Sequence, residues 1–161
     1  GAKVREILVV TGAFAEQVAA KVTAMGIATI HNPDYATGEM LSSLKVGLLA
    51  QPESVSAVLV VLADQPRLQA TVVRQLADAY EQGKGEIVAP RYQGERGHPV
   101  LISRRYWDEL LALPEGAAPR DVIQMHRDAL YFVDVETDSV LSDIDTPEEY
   151  ERERRRAGLI K

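Results

Sequence analysis

The sequence predicts an α/β fold: a mainly parallel sheet with helices on both faces. Three observations carry this. Apolar runs of strand length alternate with stretches of helical periodicity. One of those runs, "SAVLVVLAD", is apolar on both faces, as a strand buried inside a parallel sheet must be. No repeat, low-complexity segment or linker divides the chain, so residues 1–161 read as a single domain whose 46% hydrophobic content suffices for a compact core.

The elements follow in order. "REILVVTG" is a strand closed by Gly12, and Phe14, Val18, Val22 and Met25 then keep helical spacing. "GIATI" is the next strand, and the stretch around "LSSLKVGLLA" the next helix. "SAVLVVLAD" reads as the central strand, Val73, Leu76, Ala77 and Tyr80 return to helical spacing, and "GEIVAP" returns to strand. "HPVLIS" is a further strand, and Ser103 is placed to cap the helix of Tyr106, Trp107, Leu110 and Leu111. "LPEGAAP" is a loop before a short helix around "RDVIQMH", and "ALYFVDVE" alternates as a strand. In "DTPEEYERERRR", Thr146 is a good N-cap, Pro147 suits the first helical position and Glu149 completes a capping box.

Composition narrows the function. A formal charge of −6 argues against a general nucleic-acid binder, and the only strong basic run is "ERERRRAG". With no cysteine there is neither a disulfide framework nor a thiolate metal site. No run has membrane-spanning length and the start lacks a signal-peptide pattern, so a cytoplasmic protein is expected.

The acids are the first candidates for chemistry. Asp64 follows the apolar run of "VLVVLADQP", where two readings compete. Asp and Pro are common turn punctuation, but the carboxyl end of a buried parallel strand is also where open α/β sheets bind ligands. Asp143 and Asp145 lie in "LSDIDTPEEY", directly before a capped helix. Carboxylates at the ends of separate sheet elements suit a shared Mg²⁺ whose other ligands are waters and phosphate oxygens, the need of phosphoryl or nucleotidyl transfer. One of Asp143 and Asp145 equally well serves to order the turn before Thr146.

"NPDYATGEMLSSLKVGL", "VLADQP", "APRYQGERGHPVLIS" and "LSDIDTPEEY" occur in the order and at roughly the spacing seen in the MobA-like nucleotidyltransferases. The chain resembles that family from about Val9 to Tyr150, and most of all its molybdenum cofactor cytidylyltransferase branch. The resemblance implies a Rossmann-like, GT-A-like fold. It also implies roles: Asp64 as the metal-binding acid, and Asp145, with Asp143 beside it, as the second acidic motif. Asn32, Gly38, Ser42 and Ser43 match the segment lining the nucleotide pocket, where a helix cap with a tight turn is the competing reading. Gln65 and the loop of Arg96, Gly97, His98 and Pro99 match the acceptor side. His98 either bonds a pterin or holds its loop, and neither His31 nor His126 lies near it in sequence. Arg96 and Arg120 are candidate phosphate partners.

The implied reaction is attack by a terminal phosphate oxygen of molybdopterin on the α-phosphate of CTP, with pyrophosphate leaving and Mg²⁺ assisting. A molybdenum hydroxylase is the implied partner. Two rivals stand beside it: a non-catalytic maturation or chaperone-like protein on the same scaffold, and a nucleotidyltransferase for another phosphorylated acceptor. The sequence departs from the family at its start. The family opens on a strand and a glycine-rich loop of the form LAAGxSxRMG, followed by a lysine, whereas "GAKVREILVVTG" corresponds to the family's second strand. The expectation is therefore of a chain lacking its triphosphate loop, weak in CTP binding and catalysis, and prone to self-association through the "REILVV" strand. Asp64→Asn and Asp145→Asn are expected to weaken metal binding, with Asp143→Asn the milder change.

Overall fold

A computed structural model describes residues 4–160. Strand β1 (Leu8–Thr11) and strand β2 (Ala28–His31) pair in parallel, from Leu8 opposite Ala28 to Thr11 opposite His31. Helix α1 (Ala15–Thr23) connects them. Helix α2 (Glu39–Leu49) leads to β3 (Ala57–Val60), and helix α3 (Ala70–Glu81) to β4 (Ile87–Tyr92). Then follow β5 (Glu95–Arg96), β6 (Val100–Ser103), α4 (Trp107–Ala112), α5 (Pro119–Met125), β7 (Leu130–Asp134) and α6 (Pro147–Arg156).

The second sheet has the order β3-β6-β4, with β5 extending the β6 side of β4 and β7 along its other edge. Strand β6 is antiparallel to both β3 and β4, and β7 is parallel to β4, so β3, β4 and β7 all run one way. The expected α/β fold is present, and the exception to its parallel grain has a simple cause. Only residues 93–99 separate β4 from β6, too few for the crossover that a parallel neighbour requires.

Alternation along the strands sorts the core into two faces. Val58, Val60, Ile87, Ala89, Val100 and Ile102 pack toward Leu44 and Leu48 of α2 and toward Trp107, Leu110, Val122 and Ile123 of α4 and α5. Ala57, Leu59, Val88 and Leu101 pack toward Val72, Leu76 and Ala79 of α3, and toward Val135 and Val140. Helices thus cover both faces, as the patterning predicts. Ser103 does cap the next turn, accepting the Arg105 N–H at 3.4 Å, but that turn is a 3₁₀ segment, Arg104–Tyr106, ahead of α4.

Two expectations are changed. The apolar stripe of α1 buries little: Phe14 precedes the helix at φ 55° and is 75% exposed, Met25 is 73% exposed, and no residue of α1 is fully buried. A helix over a two-stranded sheet has only a narrow apolar floor to lie on. The other change concerns β3, which the sequence places at the centre. Among the described residues β3 pairs only with β6 and β1 only with β2, so each has a free edge. Helix α2 lies over both: Gly47 approaches Val10 of β1, while Leu44 and Leu48 sit over Val58 and Val60 of β3. The apolar residues of β1 and β3 are consequently half-buried, whereas β6 is buried throughout.

Free edges of apolar strands template association. The chain in isolation is expected to self-associate, and lysines at the exposed flanks of β1 and β3, Ile7→Lys with Val61→Lys, should shift it to smaller species in light scattering without changing its circular dichroism. Unchanged scattering in the double variant would place the association elsewhere.

Candidate active site

Three loops meet beyond the end of β3. The turn after β3 carries Asp64 and Gln65, the loop 96–99 carries His98, and the segment 138–145 carries Asp143 and Asp145. Backbone bonds stitch them. The Ile144 N–H donates to the Asp64 carbonyl at 3.0 Å, and the His98 N–H donates to the Val140 carbonyl at 2.9 Å. Gly97 donates its N–H to the Pro90 carbonyl at 2.9 Å and lies so close to Val140 that a Cβ would overlap the Val140 carbonyl. Glycine is required there by proximity, since any side chain would push the two loops apart. The His98–Pro99 peptide is cis, and Pro99 is fully buried.

The side chains add a polar link. The Gln65 amide Nε2 donates to Asp143 Oδ1 at 2.6 Å, although Gln65 itself is only 5% exposed. Asp64 and Asp143 are exposed at the surface of this junction. Arg67, which the sequence reading passed over, donates to Asp138 at 2.8 Å and to the Ser142 hydroxyl at 3.1 Å, with Glu153 of α6 at 4.0 Å. Its signal was its place directly after "DQP" on a turn already marked as functional. A cleft between this turn and α6 is lined by Arg67, Asp143, Glu149 and Arg152.

Asp145 sits differently. Its N–H and that of Thr146 both donate to the Glu149 carboxylate, at 2.9 and 3.1 Å, and Thr146 Oγ1 accepts the Glu149 N–H at 3.2 Å. This is the capping box expected for α6, and those backbone donors hold the Glu149 carboxyl below its ordinary range. Arg96 is exposed beside His98, and Arg120 is exposed in the first turn of α5. The other histidines are engaged apart: His31 faces the Tyr35 ring, and His126 lies 2.7 Å from Glu109. Among the described residues no group of three or more His, Asp or Glu side chains is placed to hold a metal ion.

Asn32, Gly38, Ser42 and Ser43 gather where β2 meets α2. Asn32 is fully buried; its Nδ2 donates to the hydroxyls of Ser42 at 2.8 Å and Ser43 at 3.0 Å, and its Oδ1 accepts the Asp34 N–H at 3.0 Å. The Asn32 N–H also extends the β1–β2 ladder by donating to the Thr11 carbonyl at 2.8 Å. A Cβ on Gly38 would overlap Ser42, so the tight turn needs glycine. Asn32→Ala removes three hydrogen bonds of a fully buried amide and leaves a hole in its place, and should destabilise the protein by about 2 kcal/mol, read from the urea unfolding midpoint. A midpoint equal to that of the native chain would show the bonds to be dispensable.

Burial, reinforced by the Arg96 charge, pushes the His98 imidazole below its ordinary value of 6.5, against the pull of Asp143 and Asp64. Between the lowered native value and 6.5 the unfolded chain binds more protons, so His98's contribution to stability is intact above pH 6.5 and is lost as pH falls through the native value. NMR titration should find His98 below 6.5, and His98→Gln should flatten that limb of the stability–pH curve. A His98 midpoint at or above 6.5 would contradict this.

The scaffold and its ligand edge define a class. Residues 1–130 match the MobA-like NTP transferase domain, and the chain belongs to that family. The match ends before the Asp143–Asp145 segment. Among curated relatives, the chain is 30% identical over 125 residues to the molybdenum cofactor cytidylyltransferase of Escherichia coli strain K12, covering 77% of this chain and 60% of that protein. It therefore spans about three-fifths of that relative's length. It is 29% identical over 154 residues to the nicotine blue oxidoreductase of Paenarthrobacter nicotinovorans, covering 91% of this chain and 74% of that protein. Among solved structures, the Rv0371c homologue from Mycobacterium sp. strain JC1 aligns at a TM-score of 0.79 with 26% identity, over 97% of this chain and 77% of that one. A manganese complex of Rv0371c from Mycobacterium tuberculosis H37Rv aligns at 0.76 with 25% identity, over 94% and 78%.

Proposed function

We propose that the protein is a divalent-metal-dependent nucleotidyltransferase that moves CMP from CTP to a molybdopterin-type acceptor and releases pyrophosphate. The observation that supports it best is the junction of Asp64, Asp143 and the His98 loop at the end of β3, held by the Gln65–Asp143 bond. The donor chemistry fits a hard cation: two exposed carboxylates from separate segments leave coordination positions to water and phosphate oxygens, which is how Mg²⁺ and Mn²⁺ are usually held at triphosphates. A manganese complex of a structural relative accords with that choice. When bound, such an ion neutralises charge on the triphosphate.

The chain's own residues would then divide the work. Asp64 and an acid of the 143–145 segment hold the cation, while His98, neutral near pH 7 in its half-buried loop, faces the acceptor with Arg96 and Gly97. The turn of Gly38, Ser42 and Ser43 offers small side chains and the start of α2 to the nucleotide, and buried Asn32 keeps that turn in shape. No side-chain nucleophile is needed, because the acceptor phosphate is already anionic and positioning supplies most of the gain. Cytidylyl transfer to a molybdenum cofactor follows the cytidylyltransferase relative, while the molybdopterin-type acceptor and a molybdenum hydroxylase as eventual recipient follow the resemblance drawn from the sequence motifs. A cysteine-free chain in which no described helix is long and apolar enough to cross a membrane accords with work in the cytoplasm.

Calorimetric titration tests the proposal. CTP should bind in the presence of Mg²⁺ more tightly than GTP, and Asp64→Asn should weaken that binding by about tenfold or more while leaving thermal unfolding nearly unchanged, since Asp64 is exposed. Equal CTP affinity in the variant and the native chain would remove Asp64 from the site. Absence of Mg²⁺-dependent CTP binding altogether would leave the non-catalytic use of the scaffold.

A further inference from the structure

We infer that Arg67 is a positioning residue: it locks the segment 137–144 onto the turn after β3, and so fixes the spacing between Asp64 and the acids of the segment 143–145. Its functional part rests on the nucleotidyltransferase reading of that site.

Residues 64–69 and 137–144 run past each other as an antiparallel ladder made mostly of side chains. The rungs descend in order. The Ile144 N–H donates to the Asp64 carbonyl at 3.0 Å and Gln65 Nε2 to Asp143 Oδ1 at 2.6 Å. Arg67 then donates to Ser142 Oγ at 3.1 Å and to Asp138 Oδ1 at 2.8 Å, and Gln69 Nε2 to Thr137 Oγ1 at 3.2 Å. Neither segment is a strand, and only the first of these rungs joins two main chains, so side chains carry the rest of the register.

Arg67 is the middle rung and the one charged donor among them. Its two terminal nitrogens grip the turn on either side of the buried residues Ser139 and Val140, and the Ser142 hydroxyl closes that turn by donating to the Asp138 carbonyl at 3.0 Å. Val140 in turn accepts the His98 N–H, so a turn pinned by Arg67 on its outer side carries the His98 loop on its inner side. The third nitrogen, Nε, lies 4.0 Å from Glu153 of α6, a helix with no fully buried residue. The Glu153 side chain is only 16% exposed, and its other oxygen lies 2.8 Å from Arg156.

Partly exposed ion pairs of this kind contribute little to global stability. A planar fork that engages two acceptors at once contributes direction, which a flexible ammonium does not. The charge by itself would act the other way. Arg67 lines the same cleft as Asp143, and a guanidinium there repels a cation, so a residue that supplied charge alone would tighten metal binding when removed. Positioning gives the opposite sign.

The test follows amide hydrogen exchange by NMR on the whole chain, together with Mn²⁺ binding read from the electron paramagnetic resonance of free Mn²⁺. Arg67→Gln should speed exchange of the Ile144 and His98 N–H groups about tenfold or more, and leave the Ser103 and Val135 N–H groups, which bond across the sheet, within about twofold. The same variant should weaken Mn²⁺ binding about fivefold or more. Arg67→Lys keeps the charge but cannot bond Asp138 and Ser142 together; it should show a smaller loss in both measurements, and serves if the glutamine variant does not fold. Asp138→Asn should speed the same two amides, and Arg67→Gln should cost less in that background than alone. Native exchange at Ile144 and His98, a uniform rise at all four amides, or Mn²⁺ binding unchanged or tighter in Arg67→Gln would overturn the inference. A native chain that binds no Mn²⁺ would remove the nucleotidyltransferase reading, and selective exchange at Ile144 and His98 would still uphold the lock made by Arg67.

Discussion

The packing of the segment 138–145 against the turn after β3 and the loop 96–99 is the constraint on which the site depends. Val140 is fully buried at its centre, touching Gly97 on one side and accepting from His98, and it joins the core that α3 covers. Because this contact is part of the core, the loops around it cannot drift without opening apolar surface to water. Asp64, Asp143 and His98 inherit their mutual arrangement from that packing, whatever ligand they serve.

A second polar hub does the same for the other end of the site. Asn32 satisfies both of its Nδ2 hydrogens with serine hydroxyls of α2 and binds the chain at Asp34, so the start of α2 is tied to the end of β2. Fully satisfied buried amides specify geometry strongly, since every alternative placement leaves groups unpaired. Helix α2 carries that order inward by lying over both sheets. The free edges of β1 and β3 mark the weakest part of this arrangement: their apolar residues are patterned for burial on both faces and receive only part of it.

Much of the fold was legible because periodicity reports burial directly. Of the expected α3 stripe, Leu76 and Ala77 are buried and Tyr80 packs on the core, while Val72 and Ala79 complete that face in place of Val73; the Ser103 cap forms, and the Thr146–Glu149 capping box closes α6 as its spacing dictates. The stripe of Phe14, Val18 and Met25 has the same spacing and stays largely exposed, because periodicity shows a face and does not show what lies against it. The centrality of "SAVLVVLAD" misled for the same reason: an apolar strand states what it needs, and pairing states what it has.

The sequence alone determined the elements, their order, the family resemblance and the acids at the end of β3, since each is written in local patterns of residue type. It also marked Gly38 and Gly97, whose tight approaches to Ser42 and Val140 admit no side chain. Only the tertiary structure decided that β6 runs against its neighbours, that Arg67 belongs to the junction, and that Gln65 meets Asp143 across 78 positions of chain. The physical reason is distance along the chain: a 2.6 Å bond between remote residues is a product of the whole packing, and no local pattern encodes it. The acid pair in "SDID" is chemically symmetrical in the sequence, and it is the packing of Val140 and the cap of α6 that make its two members different.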